Sequence, residues 1–251
     1  MNEAMSAEFD TIAEWTAQVA IDLGPSFRVP AACRGSGSPA ALDWLIENLE
    51  LARDEPLLDC GAGVGGPATY AVQRRAVRPT LVEPERGACR AARRLFDRPV
   101  IQASASALPL RDESFTAAWS LGVLCTMSDQ LALLSELRRV VGPGGRIGLL
   151  VFMARSTEPF EKPEGNHFPT ADSLHDLLDR SGLRVSAWRG ANELASPPRQ
   201  WQSRVEAVDA ELSDRHGDEP AWLLAERQSD LIGRLLADRV VTGELLTLHR
   251  G

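Results

Sequence analysis

Between Pro56 and Met153 short apolar runs alternate with stretches of helical periodicity, and this alternation limits the fold more than any other feature of the chain. "LLDC", "PTLVEP", "PVIQAS", "SFTAAWSLGVL" and "GRIGLLVFM" read as strands. Gly66 to Arg74, Arg86 to Phe96 and Ser128 to Val141 read as helices between them. Strands joined through helices pair in parallel, and a parallel sheet must be covered on both faces. Right-handed crossovers then make a doubly wound α/β sheet, with ligands expected at the carboxyl ends of its strands.

The flanks are less regular. Apolar residues from Glu8 to Leu23 recur at helical spacing, and "GPSFRVPAACRGSGSP" reads as loop. Ser38 and Pro39 open a further helix as cap and first-turn proline, with Leu42, Leu45, Ile46 and Leu49 as its buried side. Thr170 to Ser181 reads as a helix stopped by Gly182, and "LRVSAWRG" and "VVTGELLTLHRG" as strands. Residues 196–238 form a helical insertion that "HGDEP" breaks in two.

The first strand runs into "LLDCGAGVGGPA", which contains Gly61-x-Gly63-x-x-Gly66 with Asp59 two residues ahead. Glycines there permit positive φ and close approach of a ligand, and a helix start favours an anion. That is the dinucleotide fingerprint of nicotinamide and flavin oxidoreductases, one reading of this chain. Asp59 opposes it, because its carboxylate repels a pyrophosphate and suits a ligand carrying an ammonium and a sulfonium. Glu83, ending the next strand, stands where an acidic residue captures vicinal ribose hydroxyls. A lone glycine loop is also compatible with a tight turn that binds nothing, so the three features count together.

Composition narrows the partners. The 251 residues carry a formal net charge of -8, a field that disfavours nucleic acid and anionic membranes. Cys33, Cys60, Cys89 and Cys125 are isolated, without metal-ligand or disulfide spacing, which fits a reducing cytoplasm. No apolar run has the length of a membrane span, and the acidic start lacks the basic residues of a signal peptide.

Taken in order, "LLDCGAGVGG", "LVEPE", "ASASALPLRDESF", "AAWSLGVLCTM" and "LRRVVGPGGRIGLLVF" resemble the successive motifs of class I S-adenosylmethionine-dependent methyltransferases, in particular the small-molecule, type 11-like subgroup. The resemblance implies a Rossmann-like, mostly parallel seven-stranded sheet whose last strand, "VVTGELLTLHRG", is antiparallel, with helical cap insertions. It implies a single domain over 1–251: an N-terminal lid (1–39), a cofactor-binding core (40–153) and a C-terminal part (154–251) with a helical cap (196–238). S-adenosylmethionine is the implied cofactor, S-adenosylhomocysteine the product, and a small, apolar or aromatic molecule the acceptor.

Carried over by position, Asp59, Gly61, Ala62 and Gly63 line the methionine half of the cofactor. Glu83 takes the ribose hydroxyls, Pro84 packs beside the adenine, and Ala105 offers its amide to the ring. Ser104 stands where the family usually has an acidic residue on the adenine amino group. Ser120 and Leu121 lie beneath the methionine portion. Arg34, in a glycine-rich loop, is a candidate clamp for the methionine carboxylate. Relatives commonly place histidine at Cys125 or Thr126, so a familiar base is missing here.

His167 and His216 remain as candidate bases, and Phe160, Phe168 and Trp201 as candidate walls for the acceptor. The lid, the stretch 154–169 and the cap are expected to converge on the carboxyl edge of the sheet. There is no Asn/Asp-Pro-Pro-aromatic tetrapeptide for exocyclic amines and no metal cluster. A cyclase or regulator that keeps the cofactor pocket without methyl transfer would show the same motifs.

Overall fold

The computed structural model describes residues 7–250, so the first six positions of the expected lid and Gly251 lie outside the described residues. A π-helical turn, Ala7–Ile12, leads into α1 (Ala13–Leu23), α2 (Pro25–Ala32) and α3 (Pro39–Asn48). The core follows as β1 (Pro56–Cys60), α4 (Gly66–Arg75), β2 (Arg78–Glu83), α5 (Arg86–Phe96), β3 (Val100–Gln102) and β4 (Phe115–Leu121). Then come α6 (Gln130–Val140), β5 (Val141–Ala154), α7 (Ala171–Ser181), β6 (Leu183–Gly190), α8 (Arg199–His216), α9 (Pro220–Ala237) and β7 (Val241–Arg250).

Among the described residues the strands form a seven-stranded sheet of order β3-β2-β1-β4-β5-β7-β6. β1 to β5 pair in parallel, and β7 runs antiparallel to both β5 and β6. The strand period of two divides the core between the faces. Leu58, Ala118, Leu149 and Leu246 join one apolar cluster with α6 and α7; their neighbours Leu57, Ala117, Leu150 and Leu245 join another with α3.

Several helix starts follow their caps. The Ser38 hydroxyl accepts from the Ala41 amide at 3.2 Å, with Pro39 beginning α3, and Leu42, Leu45, Ile46 and Leu49 are buried beneath it. Helix α6 begins at Gln130 rather than Ser128, because the Asp129 carboxylate accepts from the Ala132 amide at 3.1 Å. The break at "HGDEP" separates α8 from α9 as expected.

One expectation is overturned. "GPSFRVPAACRGSGSP" is not loop throughout, since Pro25–Ala32 is helical with Pro30 inside it. Proline removes one amide donor and its ring crowds the carbonyl four residues back, so this turn is weak by itself. The compensation is tertiary: Val29, Pro30, Ala31 and Ala32 are all buried, and α2 packs on α1, α4 and α8.

The added helices cover the sheet in a defined way. Helix α1 lies on α5, and α9 packs on the N-terminal turn and β7. Asp10 of the N-terminal turn and Glu14, Gln18 and Asp22 of α1 stand four residues apart. They meet the Gly87 amide, Arg90, Arg94 and Arg215 in turn.

Candidate functional site

The glycine turn is built from β1 outward. The amides of Gly61 and Ala62 both donate to the Val82 carbonyl, at 2.8 and 3.0 Å, which bends the chain back over β2 as it leaves β1. Gly61 has φ +77, and a Cβ there would collide with Val123, so only glycine fits. Gly63, by contrast, faces space with no atom within 4 Å of a notional Cβ.

Glu83 ends β2 with 5% of its surface exposed. Its Oε2 accepts from the Gly63 amide at 2.8 Å and its Oε1 from the Glu85 amide at 3.0 Å. Two backbone donors thus fix the carboxyl plane, and one lone pair on each oxygen is left for a ligand. Asp59 is 1% exposed, and its Oδ2 is buried without a hydrogen-bond partner. An orphaned carboxylate oxygen is costly in a folded protein. A cationic ligand group removes that cost, and so the residues present fit the methionine end of S-adenosylmethionine.

Burial pushes the Asp59 carboxyl up to about 7; the Trp119 indole lowers it only in part, and the Glu83 charge raises it further. Burial likewise pushes Glu83 up to about 7, against the two amides that lower it. Both acids are therefore poised at neutral pH, as groups at functional sites often are.

Around this pair the other expected residues fall into place to different degrees. Ser120 is buried, with its hydroxyl donating to the Cys60 carbonyl at 2.9 Å, and Leu121, Ala62 and Ala105 are buried as well. Pro84 and Ser104 are exposed at the ends of their strands. The Pro84 carbonyl accepts from Gln102 at 3.2 Å, and the Ser104 hydroxyl pairs with that of Ser106 at 2.8 Å.

The loop after α2 lies across this edge. The Gly35 carbonyl packs against Gly122, directly after β4, and Gly37 packs against Ala41 and Leu150. Helix α2 ends with Ala32 and Cys33 set against Gly66, where a Cβ would strike their backbone. Cys33 is buried, and its thiol is pushed upward by that burial and by the charge of Asp59. Arg34, expected at the methionine carboxylate, instead pairs with Asp209 of α8 at 3.3 Å, both half-exposed.

The candidate bases and walls separate. The His167 amide donates to the Cys125 carbonyl at 2.6 Å, and the His167 carbonyl accepts from Gln130 at 2.6 Å, pinning 155–169 beside the turn after β4 with the ring exposed. His216 stacks flat on Trp15, ring centroids 3.9 Å apart, and so joins α8 to α1. Phe160 and Phe168 pair at 6.1 Å, whereas Trp201 meets Tyr70 edge-on at 6.0 Å. Trp201 lines a cavity of about 390 Å³ with Pro39, Tyr70 and Arg74, so the three aromatics form two groups rather than one wall.

Sequence reasoning missed Asp10, Cys33, Val123 and Trp119. The four-residue spacing of Asp10, Glu14, Gln18 and Asp22 was a readable sign of the first. Nothing local marks the other three. Among the described residues no three His, Cys, Asp or Glu side chains gather as metal ligands, and no helix is long and apolar enough to cross a membrane.

The sheet order with an antiparallel seventh strand, the glycine turn after β1 and the carboxylate ending β2 agree with the Rossmann-like fold that the sequence resemblance implies. Residues 58–149 match a methyltransferase domain model, of the type 11 kind. The methyltransferase GfsG of Streptomyces halstedii is 30% identical over 122 residues, 46% of this chain and 44% of that one. The chain thus spans less than half the length of that relative. Among solved structures, the [4+2]-cyclase SpnF superposes with a TM-score of 0.71 at 21% identity, covering 98% of this chain and 96% of the other. Geranyl diphosphate C-methyltransferase of Streptomyces coelicolor A3(2), crystallised with S-adenosyl-L-homocysteine, gives 0.61 at 16% identity over 84% and 76%. At these identities the two structures speak for the fold alone.

Proposed function

We propose that this chain transfers a methyl group from S-adenosylmethionine to a small, largely apolar or aromatic acceptor. The observation that carries the reading is the pair of buried carboxyls at the strand ends, one orphaned at Asp59 and one held ready by two amides at Glu83. The cofactor supplies an electrophilic methyl on a sulfonium, and the protein's part is binding and alignment.

Asp59 opposes the ligand's positive charge, and Glu83 accepts from vicinal hydroxyls with its remaining lone pairs. Ala62, Gly63, Ser120 and Leu121 line the floor, Pro84, Ser104 and Ala105 the adenine end. The loop over Gly122 excludes water from the strand ends. Arg34 reaches the methionine carboxylate only by leaving Asp209, a change that couples cofactor binding to the cap. His167, tethered beside Cys125, is the base for acceptors that must lose a proton, and Phe160 with Phe168 offers an apolar wall. His216 and Trp201 belong in this reading to closure of the cap.

The test is calorimetric titration with S-adenosylmethionine, S-adenosylhomocysteine, NAD and FAD, followed by transfer of labelled methyl to a panel of small aromatic and isoprenoid acceptors. Binding of the two sulfur compounds alone supports the reading; binding of NAD or FAD in their place overturns it. The second reading is a protein that keeps the same cofactor pocket without methyl transfer, a cyclase or regulator. Cofactor binding with no transfer to any acceptor favours it.

A further inference from the structure

The stretch between β3 and β4 contains the adenine-side residues Ser104 and Ala105, yet none of its residues is in a helix or strand. Something else must hold its shape. At its start the Ala103 amide donates to the Glu83 carbonyl at 3.2 Å, tying it to the residue assigned to the ribose. At its far end everything converges on Arg139, in the last turn of α6.

The Arg139 guanidinium uses all of its N–H groups. Nε donates to Glu136 Oε1 at 2.7 Å, and Nη1 to the Leu110 carbonyl at 2.8 Å and Asp112 Oδ1 at 2.6 Å. Nη2 donates to the Leu108 carbonyl at 2.9 Å and Glu136 Oε2 at 2.8 Å. Glu136 closes the ring by accepting from the Leu108 amide at 2.6 Å. The Glu113 amide donates to the Arg139 carbonyl at 2.9 Å.

Five donors in a planar fork meet five acceptors, three of them on the loop itself. Lysine, with three donors on a single nitrogen, cannot repeat this. Leu108 and Ala105 are both buried, so the clamp at Leu108 is transmitted through packed atoms to the segment beside the adenine.

We propose that Arg139, with Glu136 as its partner, is a positioning residue that sets the Ser104–Ala105 segment to recognise the adenine ring; this rests on the reading of the cleft as an S-adenosylmethionine site. A residue needed only for stability would weaken every ligand alike. A positioning residue changes how well the site tells one base from another.

The experiment titrates the full-length protein, Arg139→Lys and Glu136→Gln with S-adenosylhomocysteine and with S-inosylhomocysteine, which has a carbonyl in place of the adenine amino group. Hydrogen exchange of the ligand-free proteins at residues 103–110 is read alongside, with thermal melts confirming that each variant is folded. The unmodified protein is expected to prefer the adenosyl compound by about tenfold, the worth of one hydrogen bond. In both variants that preference should fall to about threefold or less, with faster exchange over 103–110. Preference retained in both variants overturns the positioning role while leaving the cofactor reading intact. No binding of either compound by the unmodified protein overturns that reading and this role with it. Should Arg139→Lys fail to fold, Glu136→Gln, which keeps shape and volume, decides alone.

Discussion

The cleft around Asp59 and Glu83 and the helical cover above it are held by different forces. In the cleft, neighbouring strands and backbone amides do the work: Gly61 and Ala62 bond to Val82, and Gly63 and Glu85 to the buried Glu83. In the cover, α1 and α8 are latched through side chains near the surface, including Glu14 with Arg90, Asp22 with Arg215 and Arg34 with Asp209. Buried backbone bonds are costly to break, whereas exposed ion pairs are worth about 0–1 kcal/mol each and weaken with salt. The cover also shares a buried apolar cluster with α5, which includes Ile12, Val19, Leu95, Leu212 and Trp222, so apolar packing seats it while the ion pairs trim its rim.

The sharpest way to break this comparison is at the floor. Glu83→Ala removes an acceptor from two ligand hydroxyls, and each charge-assisted bond is worth about 1.5–3 kcal/mol. Cofactor affinity should fall by at least about tenfold in a calorimetric titration. Unchanged affinity would remove Glu83 from the site.

The next effect belongs to the cover. Gly87 has no Cβ because the Asp10 carbonyl occupies that space, and its amide donates to the Asp10 carboxylate. Gly87→Ala should lift the lid from α5, expose the chain near α1 to limited proteolysis, and raise the release rate of S-adenosylhomocysteine by about fivefold to tenfold. The sheet should keep its melting transition within a few degrees. Proteolysis as slow as in the unmodified protein would mean that the latch lies elsewhere.

The acids of the floor add a dependence on pH. Asp59 and Glu83 titrate near 7 in the free protein against ordinary values of 3.8 and 4.5. Their folded values are raised, so between about pH 4 and 7 the folded state holds protons that the unfolded chain has lost. Their contribution to stability is thus greatest at low pH and disappears as pH rises through 7. A cation and hydroxyl donors prefer the carboxylates, so binding should strengthen as pH rises from 6 to 8, by up to about tenfold per unit for each proton released. Affinity that is flat over this range would show that the acids are already ionised.

Smallest is the effect of Arg34→Ala. The pair with Asp209 is half-exposed, and its loss alone should lower the melting temperature by no more than about 2 °C. A clear loss of cofactor affinity in the same variant would place the arginine on the ligand's carboxylate, and only then.

Most of the sheet was legible because its signals are local. Strand alternation, the cap at Ser38 and the stops at Gly182 and "HGDEP" each depend on neighbours within a few residues. The same holds for the glycine turn and for the acids at the strand ends, whose spacing follows from one βα unit. The helix at Pro25–Ala32 was not legible, since its prolines argue for loop and only burial on α1, α4 and α8 overrules them. Nor was the partner of Arg34 legible, because Asp209 lies far along the chain on a helix whose docking depends on the whole cover.

By itself, then, the sequence determined the order of strands and helices, the glycine turn and the two acids, since backbone geometry and period-two burial act over short distances. Only the tertiary structure decided that Asp59 Oδ2 lies buried without a hydrogen bond while Glu83 receives two amides, that Trp201 joins Tyr70 rather than Phe160 and Phe168, and that Arg139 ties one loop to α6. Those outcomes depend on where separate segments meet, and a side chain's partner is chosen by packing among elements that the chain brings together only once it is folded.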